Sequence, residues 1–195
     1  MRRVKEVRIP LCVLGLFINL LSFNAHGQSS NSGPKHFDKE GLVFDYDASW
    51  ELNGQNDANG HQLVLTEKAL DAQIMIIELH SPITSPKEEE AAKKAVVEPM
   101  ISRLLKQYDD AGIPVERVAL TGSVANLPAQ GLQLRFSVDG APGTTDIYWV
   151  VVNQRLVQLI FIRPEKTAAK ATPCWDLVRN NLRIGKAEAK EKNAK

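Results

Sequence analysis

Cysteine is scarce in this chain, which has two in 195 residues, Cys12 and Cys174. Cys12 lies in an N-terminal segment that the sequence marks for removal, so the mature protein keeps one thiol and no intramolecular disulfide can form. Its stability must come from packing. Cys174 stands beside Trp175 in an apolar helical pattern, where a free cysteine behaves as a small buried hydrophobe. Chemical motifs are scarce too. No glycine-rich phosphate loop occurs, and Ser123, Ser137, Thr144 and Thr145 lie in neither a Gly-x-Ser-x-Gly elbow nor a Ser-x-x-Lys context, which leaves a hydrolase reading without support.

Long apolar runs are missing except at the start. Residues 1–8 carry Arg2, Arg3, Lys5 and Arg8 against Glu6, and an apolar run from Leu11 to Phe23 follows, ending in Ala25-His26-Gly27. A basic segment, an apolar segment of about 13 residues and small residues before the cut make a secretory signal peptide, too short for a bilayer core that needs roughly 20. Cleavage is expected after Gly27, with no stable membrane insertion afterwards and a periplasmic or secreted destination. Cys12 opens the apolar run, whereas a lipid-modified cysteine would follow it, so no acyl anchor is expected.

Neither acids nor bases dominate. Removing residues 1–27 leaves 20 Lys and Arg against 22 Asp and Glu, and the tail 186–195 takes four of the bases with it. The mildly acidic remainder has no basic patch, which excludes a nucleic-acid binder. About 168 mature residues suit one domain with a real core.

Residues 28–36 begin with Ser, Asn, Gly and Pro and read as a flexible leader, with order expected from Phe37 to Gly185 and a charged, disordered tail at 186–195. Leu42, Phe44 and Tyr46 alternate with polar or opposite-facing residues as in a half-buried strand, and Trp50 follows a turn. Residues 51–60 are turn-rich, and 62–66 form a short strand with Leu63 and Leu65 on one face. The run AQIMIIEL at 72–79 is apolar without alternation, which predicts a central strand covered on both faces.

Ser85-Pro86-Lys87-Glu88 combines a capping box with proline at the first helical position, and apolar residues from Ala92 to Tyr108 recur at three- and four-residue spacings. Pro99 inside that pattern predicts a kink or split near Glu98. Strands are expected at 115–121, 132–138, 146–152 and 156–163, the last two joined by a tight hairpin. Thr172-Pro173 should open a second helix that carries Trp175, Val178 and Leu182. This order predicts an α+β fold, an antiparallel β-sheet covered by helices in an α/β/α sandwich.

Candidate sites are few. His36, His61 and His80 are far apart in sequence and show no zinc-type spacing, so they read as surface histidines and no metal or cofactor is expected. Asp45, Asp47 and Asp57 read as a solvated strand face and loop rather than a cation site, and Glu88, Glu89 and Glu90 as first-turn acids favoured by the helix dipole. Trp50, Tyr148 and Trp149 are the candidates for a binding surface, with Tyr148 and Trp149 on opposite faces of one strand.

The opening 37–52 (FDKEGLVFDYDASWEL) and the closing 146–184, a hairpin of apolar strands followed by a terminal helix, resemble the Mog/PsbP-like fold superfamily, including bacterial DcrB/PsbP-like exported proteins. Asp47 departs from the proline that relatives often carry before the tryptophan turn. The resemblance implies a mostly non-enzymatic binding module. The expected function is therefore an exported accessory protein, not an enzyme, that binds an unidentified envelope or secreted protein. A small-ligand or lipid carrier with a pocket between helix and sheet is the alternative.

Overall fold

The computed structural model describes residues 33–57 and 59–185. The segment expected to be a signal peptide, most of the expected leader and the charged tail lie outside the described residues.

The chain begins with a hairpin of β1 (Lys35–Lys39) and β2 (Leu42–Tyr46), turned by Glu40 and Gly41, both at positive φ. β3 (Glu51–Asp57), β4 (Gly60–Glu67) and β5 (Ala72–Leu79) form an antiparallel meander. A helical segment follows, then β6 (Val115–Val124), β7 (Leu127–Val138), β8 (Ala141–Val152) and β9 (Arg155–Pro164). The turns Ala125-Asn126, Asp139-Gly140 and Asn153-Gln154 each place both residues at positive φ. Paired left-handed residues match the twist of the flanking strands, and this is why two-residue turns suffice. The result is a seven-stranded antiparallel sheet ordered β3-β4-β5-β9-β8-β7-β6, with β1, β2 and the short β10 (Arg183–Ile184) in a separate three-stranded sheet.

Both faces of the large sheet are covered. On one face, Leu63, Leu65, Ile74, Ile76, Leu159 and Phe161 pack against the small sheet and α3 (Ala168–Asn181). On the other, Met75, Leu134, Ile147 and Ile160 pack against Leu104 and Tyr108 of α2 (Glu98–Asp110). The α+β sandwich expected from the sequence is what forms, and β5, the apolar run without alternation, is buried on both sides between β4 and β9.

Three local readings change. β1 begins two residues before Phe37, and β3 occupies the segment read as turn-rich, because full-length pairing with β4 outweighs the low strand propensity of Asn53, Gly54 and Asn56. α3 starts at Ala168, not at Thr172, with Pro173 inside it. Its alanines favour the earlier start, and the Thr172 hydroxyl donates to the Ala168 carbonyl (2.8 Å) just before the position where proline offers no N–H.

The Ser85 capping box is formed as read: Ser85 Oγ accepts from Glu88 N–H while Glu88 accepts from Ser85 N–H, starting α1 (Pro86–Ala92). The expected disturbance at Pro99 takes the form of a π-helical turn, Lys93–Val97, in which the Glu98 N–H reaches back to the Lys93 carbonyl. Widening the helix just ahead of the proline eases the clash between its ring and the preceding turn.

Candidate functional site

The three aromatic candidates do not share a surface. Trp50 is buried beneath the turn that its own N–H closes on the Asp47 carbonyl (3.1 Å), and Tyr148 is buried against Trp175, ring centroids 6.1 Å apart. Trp149, on the opposite face of β8, is half-buried among residues of the other core, with the Lys93 ammonium 5.6 Å from its ring centroid. The helices and the small sheet cover both faces, so Trp50 and Tyr148 serve as core and Trp149 is partly covered.

The histidines are the larger correction. His36 is exposed and paired with Asp45 (2.7 Å), as a surface histidine should be. His61 is buried. It lies on β4 in the same inward-facing set as Leu63 and Leu65, and the β4–β5 register sets it directly opposite Glu78. His61 Nδ1 is 2.8 Å from Glu78 Oε2, and both side chains are fully enclosed. His80, just past the end of β5, brings Nε2 to 3.3 Å from both His61 Nδ1 and Glu78 Oε2.

Arg155 on β9 donates from Nη1 to Glu78 Oε1 (3.3 Å) and to the Glu40 carbonyl (3.2 Å). The Glu40-Gly41 turn is thereby held over the cluster, with Gly185 N–H donating to the Gly41 carbonyl (2.7 Å) on its far side. Glu40 Oε2 stands 3.7 Å from His80 Nε2. Two carboxylates, two imidazoles and a guanidinium thus meet where the small sheet closes over one end of the large one. The sequence signal was the period of β4: a histidine in phase with Leu63 and Leu65 points inward.

The acidic candidates do not combine. Asp45 is taken by His36, while Asp47 accepts from the backbone and hydroxyl of Ser49, and those hydrogen bonds hold its carboxyl below the usual range. Glu88 is likewise held low by Thr84 and Ser85, which is the chemistry of a helix cap.

Cys174 is buried in the α3 core, and that burial pushes its thiol up to about 11, while burial pushes the Tyr108 phenol, bonded to Thr145 Oγ1 (2.9 Å), up to about 12. Both groups are inert near neutrality. Each also lowers stability at high pH, because the unfolded chain ionises first: the Cys174 contribution is complete below about pH 9 and is lost as pH rises through about 11. At about 1.4 kcal/mol per unit, urea unfolding should show about 2 kcal/mol lost over that window, reduced in Cys174→Ala. Constant stability from pH 8 to 11 would contradict this.

Among the described residues the large sheet ends in β6, which pairs with β7 along its whole length and with no other described strand. Beside its first residues, Leu105, Lys106 and Asp109 of α2 and Ile113, Pro114, Val115 and Arg117 line an open groove of about 480 Å³.

No protein-family model matches the chain, and no curated protein matches it. Solved structures do. The solution structure of cyanobacterial PsbP (CyanoP) from Synechocystis sp. PCC 6803 superposes with a TM-score of 0.50 at 13% identity, over 83% of this chain and 98% of that one. The fold is PsbP-like. A Bacteroides thetaiotaomicron structure gives a TM-score of 0.48 at 16% identity, over 83% of this chain and 50% of the other. The PsbP-like fold agrees with the resemblance carried by residues 37–52 and 146–184.

Proposed function

We propose that the protein is an exported, non-enzymatic binding module that engages another envelope or secreted protein through the free edge of β6. The observation that carries this reading is the edge itself: ten residues of backbone paired, among the described residues, on one side only, with a partly apolar groove alongside. An extended segment of the partner adds as a further strand, and an apolar side chain from it enters the groove between Leu105, Ile113 and Val115. Main-chain hydrogen bonds give affinity, and the groove gives selectivity.

Other features agree. The thiol and phenol best placed to act as nucleophiles are held in their neutral forms by burial. No described helix is long and apolar enough to cross a membrane. Export rests on the basic and apolar segments of residues 1–27. The groove volume also falls within the range of small-ligand sites, which favours a carrier as the second reading.

A photo-crosslinker placed at Arg117 should capture one defined protein in the producing cells, and the same group at Gln55 on the β3 edge should not. The purified pair should re-form in vitro and be weakened at least tenfold by Leu105→Arg, which fills the groove. Equal capture from both edges, or binding indifferent to Leu105→Arg, rejects the edge. A small molecule retained in native mass spectrometry, and lost with Leu105→Arg, would select the carrier reading.

A further inference from the structure

We propose that Glu40, His61 and His80, with Glu78 behind them, form a binding site for a divalent transition-metal ion of the zinc class. This goes beyond the edge-binding reading and is independent of it.

The first ground is geometry. Glu40, His61 and His80 each offer one ligand atom, and the three lie within 4.8 Å of one another. A tetrahedral ion with bonds of about 2.0–2.1 Å sets its ligand atoms about 3.3–3.4 Å apart. His61 Nδ1 and His80 Nε2 are 3.3 Å apart, and Glu40 Oε2 is 3.7 Å from His80 Nε2. Glu78 Oε2 lies behind the two imidazole nitrogens, at 2.8 Å and 3.3 Å from them.

The second ground is hydrogen-bond valence. Two ring nitrogens 3.3 Å apart face the same carboxylate oxygen. When each carries its proton toward Glu78, neither nitrogen has a lone pair for the other. An ion at their meeting point replaces those protons and takes both lone pairs.

Charge gives the third ground. With both imidazoles neutral, two carboxylates outnumber the one guanidinium, Arg155, so the cluster has room for added positive charge. Imidazole with carboxylate selects zinc, copper, nickel or cobalt over magnesium and calcium, which prefer all-oxygen sets.

Support and access complete the case. Arg155 steadies Glu78 and the Glu40 turn, as the partners of metal ligands commonly do. His61 and Glu78 are fully enclosed, whereas Glu40 is 56% exposed and His80 19%, so an ion enters from the solvent side past Glu40.

The mature protein, stripped by a chelator and returned to buffer, is titrated with Zn²⁺ in competition with a chromophoric chelator. One equivalent should bind, and Co²⁺ in its place should show the intense visible bands of tetrahedral coordination. His80→Gln and Glu40→Gln should each weaken binding by about 10–100-fold, while His36→Gln, at the exposed histidine, should leave it unchanged. Glu40 lies on an exposed turn, so that variant remains informative if His80→Gln does not fold. Binding below one equivalent, equal loss in His36→Gln, or Ca²⁺ and Mg²⁺ competing on equal terms with Zn²⁺ would each overturn the site.

Discussion

Replacing Glu78 with alanine should cost about 3–5 kcal/mol of folding stability, measured by urea unfolding with chelator present so that no metal contribution enters. The side chain is fully enclosed and receives three basic groups: Arg155 Nη1 at 3.3 Å, His61 Nδ1 at 2.8 Å and His80 Nε2 at 3.3 Å. Truncation takes the buried carboxylate away from a guanidinium that is 7% exposed, which keeps its charge at any accessible pH. Removing both charges tests the cause. Glu78→Leu combined with Arg155→Met should recover most of the loss, since a buried ion pair is often matched by apolar residues of similar volume. A loss under about 1 kcal/mol in Glu78→Ala would mean that water reaches the cluster, and the enclosure described above would then be wrong.

The parts of the fold legible in the sequence are those where one local signal dominates. The Ser85 capping box, the unbroken apolar run of β5 and the alternation in β7 all state their environment within a few residues. β3 was not legible, because Asn53, Gly54 and Asn56 form a strand only through pairing with residues 61–64. The helix start at Ala168 was hidden by Pro173, which reads as a beginning but is tolerated a turn and a half inside.

The histidine cluster shows the same limit more sharply. Counting in twos from Leu63 and Leu65 puts His61 on the inner face, and the same count from Ile74 and Ile76 does so for Glu78. Their meeting depends on the β4–β5 register, while Arg155 arrives from a strand 77 residues away from Glu78 along the chain and Glu40 from a turn 38 residues away. Spacing rules for metal ligands look for short separations, so a site assembled from three strand ends and a turn escapes them. The aromatic candidates failed for a related reason: strand alternation assigns a face but does not say what covers it.

Trp175→Ala should be the most damaging single change on the α3 side, at about 3–5 kcal/mol. The indole stacks on Phe161 at 5.1 Å between centroids, stands 6.1 Å from Tyr148 and has the Arg179 guanidinium 5.8 Å above it. Those contacts join α3 to β8 and β9. The helix has little intrinsic stability, since no side chain caps its start and Pro173 interrupts its ladder, so its order depends on docking through Trp175 together with buried Ala171, Cys174 and Val178. Trp149→Ala, at a half-buried ring on the opposite face, should cost less.

The shape of the unfolding curve is as informative as its midpoint. Phe37 and Phe44 of the small sheet, Val178 of α3 and Leu159 of the large sheet belong to one contiguous core. Loss of the indole should therefore shift a single transition, with amide exchange rising together in β2, α3 and β9. Selective exchange in α3 and β10 with β9 still protected would instead show that the terminal helix detaches alone, and the two sheets would then be separate cooperative units.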